Sequence, residues 1–130
     1  ILLLGDPLDS PVILSMSAEL NDPSVINIPG KVHLNQLAAI LGRAWFVVCN
    51  DGGPLHIAVS RGTRTVSFFG PVDETVYGPF PRDGHLVLTN PVECRPCYQN
   101  FRFPPCPYEH RCLKELSVEY AFGRIKEAFN

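Results

Sequence analysis

The sequence predicts an α/β fold, a parallel sheet of the doubly wound type flanked by helices. Two observations carry that expectation. Up to Thr89, short apolar runs alternate with segments of helical periodicity, joined by short links. The apolar runs are continuous rather than alternating, as befits strands covered on both faces.

Ile1 to Leu4 is the first run, closed by the turn Gly5-Asp6-Pro7. Val12, Ile13, Met16 and Leu20 then sit at helical spacing, with Pro11 suited to the first turn and Ser10 as candidate cap. Val25 to Ile28 is a second strand, ended by Pro29-Gly30. Leu34, Leu37, Ala38 and Leu41 share one helix face, and Gly42 stands where a helix stops. Trp45 to Cys49 is the third strand, followed by the turn Asn50 to Pro54 and a helix from Leu55 to Arg61. Thr65 to Phe69 is the fourth, ended by Gly70-Pro71, and His85 to Thr89 a fifth. A final helix runs from Ser117, as cap, to Phe129, with Val118, Ala121, Phe122, Ile125 and Phe129 inward.

Composition bounds the function. The chain has 130 residues, 45% hydrophobic and 18% charged, which is one domain's length and an ordinary globular balance. A net charge of -2 gives no global attraction to nucleic acid or to an anionic membrane, so any anion site must be local. No apolar run approaches the ~20 residues of a membrane span, and the opening Ile1–Leu4 run does not read as a signal peptide, having no charged n-region followed by a long apolar core. A strand with nothing before it is expected of a domain cut from a longer chain. Of thirteen prolines, five lie between Pro91 and Pro107, so that stretch cannot be regular helix or central strand.

The strongest chemical signal is Asp51-Gly52-Gly53-Pro54-Leu55-His56, between a strand and a helix. Ligands of open parallel sheets bind beyond the carboxyl ends of the strands, where this turn lies. The glycines admit close backbone approach, the helix start offers N–H groups to an anion, and His56 adds a donor. A tight turn with a surface histidine is the plainer alternative. Gly70-Pro71-Val72-Asp73 follows the next strand and faces the same crevice if both strands share one sheet. Asp9, in a third loop of that polarity, is either a ribose acceptor or a solvated turn carboxylate. Cys49 reads as a small buried hydrophobe. Cys94, Cys97, Cys106 and Cys112 form C-x2-C-x8-C-x5-C, a spacing open to a structural zinc or to free thiols. Arg95, Arg102 and Arg111 with Tyr98, Phe101, Phe103 and Tyr108 make that loop either a contact surface for an anionic or lipid-linked partner or a loop packed on its own domain.

In order and spacing, these pieces resemble glycosyltransferase family 9, the heptosyltransferases of lipopolysaccharide core assembly. The resemblance rests on Leu3-Leu4-Gly5-Asp6-Pro7-Leu8-Asp9, Ile28-Pro29-Gly30-Lys31, Val47 to Ala58, Phe68 to Asp73 with Tyr77-Gly78-Pro79, and the cysteine segment. It implies that residues 1–130 are a Rossmann-like nucleotide-sugar-binding domain, with a Cys/Pro-rich loop over 93–113. That domain would be the carboxyl-terminal half of a two-domain GT-B enzyme whose amino-terminal acceptor domain lies outside this sequence.

The family's phosphate loop falls on Asp51, Gly52, Gly53 and His56, and its ribose contact on Asp9. Such enzymes move heptose from ADP-heptose to a lipopolysaccharide core-type acceptor with inversion. They use no metal or other cofactor, and their catalytic base comes from the missing domain, so no catalytic residue is expected here. The implied setting is cytoplasmic, with peripheral contact at the inner membrane face. Where the family carries Thr or Ser after the motif aspartate, this chain has Gly52, which removes a hydroxyl and leaves the backbone N–H. Two other readings compete: a stand-alone Rossmann-like binding module holding a metal in its cysteine loop, and a nucleotide-sugar epimerase-type domain.

Overall fold

A computed structural model describes residues 1–129, which separate into two compact units, Ile1–Ile40 and the remainder from Leu41. In the first unit, strands β1 (Leu2–Leu3) and β2 (Ile26–Asn27) pair in parallel. Bonds from Ile26 N to Ile1 O, Ile28 N to Leu3 O and Gly30 N to Gly5 O carry the contact past both regular segments. The even spacing, with alternate residues donating, is that of a parallel ladder.

Helix α1 (Ser10–Leu20) starts differently from the sequence expectation. Asp6, not Ser10, does the capping. Its carboxylate accepts from the N–H groups of Leu8 and Asp9 at 2.6 and 3.2 Å, winding Pro7–Asp9 into a 3-10 turn that runs into α1. The inward face is also narrower than expected. Ile13 is buried, while Val12, Met16 and Leu20 are exposed. Apolar residues surround α1 on most sides, so spacing alone did not choose its packed face; Ile13 lies over Gly5, where a Cβ would come within 2.8 Å of it. Ser17 Oγ accepts from Asn27 Nδ2 at 2.8 Å, tying α1 to β2. Helix α2 (Leu34–Leu41) opens with Gln36 accepting from the His33 N–H.

The second unit holds a three-stranded parallel sheet in the order β3 (Phe46–Asn50), β4 (Arg64–Phe69), β5 (His85–Thr89). Strand β4 is central and covered on both faces: Thr65, Val66 and Ser67 are buried in succession, although its sequence mixes hydroxyl with apolar residues. Phe69 packs with Leu55 of helix α3 (Gly53–Ser60) and Val72 on one face. On the other, Val66 and Leu88 meet Ala121 of helix α6 (Val118–Phe129). Helices on opposite faces of a parallel sheet are the predicted α/β arrangement, realised within this unit.

Helix α6 is capped by Ser117 as expected, with Oγ accepting from Tyr120 N. Its inward stripe is Ala121, Ile125 and Phe129, spaced by four. Val118 and Phe122, expected inward, lie outside, Phe122 under the Lys126 ammonium at 5.1 Å. The β4 hydroxyls are sunk in the interior. Thr65 Oγ1 pairs with His85 Nδ1 at 2.9 Å, and Thr63, just before the strand, donates to the Leu41 carbonyl at 2.8 Å. Among the described residues no helix is long and apolar enough to cross a membrane.

Leu88 is 1% exposed and joins β5 to α6. Leu88→Ala should lower unfolding stability by about 2–5 kcal/mol, measured by urea denaturation.

Candidate functional site at the carboxyl ends of the second sheet

The three parallel strands of the second unit deliver three successive segments to one sheet edge: Asp51–Gly53 after β3, Gly70–Asp73 after β4, and the cysteine segment after β5. Asp51 N donates to Phe68 O at 3.1 Å, so the first loop stays laddered to β4 as the chain leaves the sheet. Gly52 then turns the chain with φ 154° and ψ -171°, a region essentially reserved for glycine. Gly53 has open space where a Cβ would stand, so the backbone is accessible to a ligand. Helix α3 starts at Gly53 with Pro54 in its first turn, two residues earlier than expected, because proline already has helical φ and no N–H to satisfy. Leu55 is fully buried and anchors the turn to the core, while His56 is exposed in the same first turn.

Partial burial raises the Asp51 carboxyl above the ordinary value, opposed by the nearby His56 charge. Cys49, two residues earlier and packed on the Leu55–Phe69 core, has its thiol pushed up to about 11 by burial, with Asp51 adding to the effect. It is an unreactive core thiol, as its place in the strand suggested.

Asp9 lies in the first unit and is exposed. One carboxylate oxygen accepts from Asp6 N at 2.9 Å, completing a reciprocal capping box with Asp6. Its observed role is therefore to shape the turn after β1, which leaves its other oxygen without an assigned partner.

The second loop is bonded along its whole length. Gly70 O accepts from Arg95 Nε at 2.9 Å, Pro71 O from Cys97 N and Tyr98 N, and Val72 O from an Arg95 terminal nitrogen at 3.2 Å. Asp73 O takes the Val76 and Tyr77 N–H groups, and Glu74 O takes the Arg82 guanidinium. The same Arg95 nitrogen meets the Glu74 carboxylate at 2.8 Å, with the arginine side chain 10% exposed. Arg95 holds the Glu74 carboxyl below its usual range. Asp73 caps the short helix α4 (Glu74–Tyr77), and the bonds it accepts from the Thr75 hydroxyl and N–H lower its pKa.

Arg95 and Glu74 were missed from sequence. The loop reads as either a contact surface or a loop packed on its own domain; the structure packs Arg95 and Tyr98 inward, as in the second alternative, and leaves Phe101, Arg102 and Phe103 outside. No local signal marks the pair, because its partners stand 21 residues apart and meet only through tertiary folding.

The four cysteines of the loop are free thiols, with Cys112 buried at the start of the short helix α5 (Arg111–Lys114). Burial, then the charges of Cys94, Cys97 and Cys106, raise the Cys112 pKa. Among the described residues no three His, Cys, Asp or Glu side chains are grouped to hold a metal. Two open hollows of about 390 and 270 Å³ border Tyr108 and Arg111 and are not lined by Asp51.

Two outcomes follow from this loop. Gly52→Ser should lower stability by about 1–3 kcal/mol in urea unfolding, since any side chain is strained at that φ. The raised Asp51 pKa means that the folded state holds this proton more tightly than the unfolded state. Its ionisation therefore penalises folding above the raised value, and the penalty vanishes as pH falls below the ordinary 3.8. Asp51→Asn should raise the thermal midpoint at pH 7, with the gain shrinking as pH is lowered through that window.

A family model described as glycosyltransferase family 9 (heptosyltransferase) matches residues 1–103. Lipooligosaccharide heptosyltransferase 2 of Campylobacter jejuni, serotype O:6, is 29% identical over 104 residues, covering 79% of this chain and 32% of that protein. Among solved structures, a family 9 glycosyl transferase from Veillonella parvula superposes with TM-score 0.80 at 24% identity, over 98% of this chain and 36% of that one. The E. coli ADP-heptose lps heptosyltransferase II gives TM-score 0.74 at 17% identity, over 98% and 35%. This chain thus spans about a third of the length of each relative. With the family model matching most of its length, the chain belongs to glycosyltransferase family 9, the heptosyltransferase family.

Proposed function

We propose that this chain is the carboxyl-terminal, donor-binding part of an inverting glycosyltransferase that moves heptose from ADP-heptose to a lipopolysaccharide core-type acceptor. The observation that carries this reading is the Asp51–His56 turn. A glycine-only conformation opens helix α3 at the carboxyl edge of a parallel sheet, with open space over Gly53. Helix-start N–H groups at Gly52 and Gly53 and the exposed His56 suit the donor diphosphate, and they stabilise the charge that develops as ADP departs. Asp51 leads this phosphate loop, and its carboxylate accepts from hydroxyls of the bound nucleotide, so its loss is read with ADP itself.

The acceptor, and the carboxylate that removes its proton, belong on this reading to a companion amino-terminal domain. The reaction needs no metal, and the enzyme works in the cytoplasm against the inner membrane face, where its glycolipid acceptor is presented. The family match and the names of the relatives support the sugar and acceptor class.

Isothermal titration calorimetry with ADP tests the reading. Wild-type protein should bind ADP, and Asp51→Ala and His56→Ala should each weaken binding about ten-fold, the loss of one charged hydrogen bond. Equal affinity in both variants would remove the loop from the site.

A further inference from the structure

We propose that Arg95 is the positioning residue of the donor site: its guanidinium fork, reaching from the cysteine segment, fixes the Gly70–Glu74 loop in its ligand-facing conformation. The inference rests on the nucleotide-binding reading above and assigns the cysteine segment a task within it. Arg95 sits between Cys94 and Cys97, and its Nε and one terminal nitrogen take the carbonyls of Gly70 and Val72. The residue between these two carbonyls, Pro71, is held by Cys97 N and Tyr98 N at 2.9 and 3.1 Å. Three consecutive carbonyls of one loop are therefore tied to three residues, Arg95, Cys97 and Tyr98, of another.

Two further contacts press the same place. Tyr98 packs against the Leu55–Phe69–Val72 core, and Leu113 lies over Gly70 so closely that a Cβ there would stand 2.7 Å from its Cγ. The buried guanidinium is paired as well as bonded, with Glu74 at 2.8 Å. A glycine and a proline give the Gly70–Pro71 turn no side chain able to hold itself in place, so its conformation is set from outside. A planar fork reaches two carbonyls at once, which the single ammonium of lysine cannot do.

The fork and the ion pair are separable. Arg95→Lys keeps a positive charge for Glu74 and loses the two-carbonyl grip, whereas Glu74→Gln keeps the grip and loses the ion pair. If the grip positions the loop, Arg95→Lys should weaken ADP binding about ten-fold, with Glu74→Gln within about three-fold of wild type. Amide exchange at Val76, Tyr77 and Gly78, whose N–H groups bond back to Asp73 and Glu74, should quicken about ten-fold in Arg95→Lys while β4 amides keep their protection.

Unchanged ADP affinity in an Arg95→Lys protein that still folds would overturn the assignment, as would the larger loss appearing in Glu74→Gln. A wild type that fails to bind ADP overturns the nucleotide reading and this role with it. The exchange readout then separates the two failures: faster exchange in Arg95→Lys upholds Arg95 as the brace of the loop, and unchanged exchange rejects that too.

Discussion

One guanidinium organises the second unit at the carboxyl edge of its sheet. Arg95 is almost fully withdrawn from water and meets two carbonyls and a carboxylate. Burying such a charge is expensive unless every donor direction finds an acceptor. Here the acceptors come from a turn whose carbonyls would otherwise be left unbonded as the chain leaves β4. Each side supplies what the other lacks, and such charge-assisted bonds are worth roughly 1.5–3 kcal/mol apiece. The prolines and cysteines that look like a break in the α/β pattern form the frame that carries this arginine.

The first loop solves its problem by another route. The turn after β3 is set from within, by Gly52 in a conformation closed to other residues, by Pro54 preset for the helix, and by Leu55 driven into the core. The two loops share the edge of one sheet because β3 and β4 are hydrogen-bonded neighbours in register, Asn50 opposite Phe68. One loop is thus rigid by local chemistry and the other by a distant partner.

Much of this was legible in the residue order. Five strands, their parallel pairing within each unit, the helix at Pro54 and the Ser117 cap all follow from periodicity and from residues with fixed backbone preferences. Legibility failed where the choice was tertiary. Nothing in the spacing of Val12, Ile13 and Met16 says which side of a helix apolar all round meets its sheet. Nothing at Arg95 distinguishes a solvated arginine from a buried one, since its fate depends on carbonyls more than twenty residues away. The residue pattern alone marked the Asp51 turn as a strand-to-helix junction, while the strained φ at Gly52 is visible only in the backbone.

The long reach of the Arg95 contacts also bears on how the molecule assembles. The Gly70, Pro71 and Val72 carbonyls and the Glu74 carboxylate find their partners at Arg95, Cys97 and Tyr98, beyond β5 in the chain. Contacts of that separation form late in folding, after the local turns and the β3–β4 pair. Val72 and Tyr98 tie the same two segments to the Leu55–Phe69 core, so the polar contacts and the packing close together. The second loop is accordingly the last part of this edge to be built, so the sheet can form before the loop is braced.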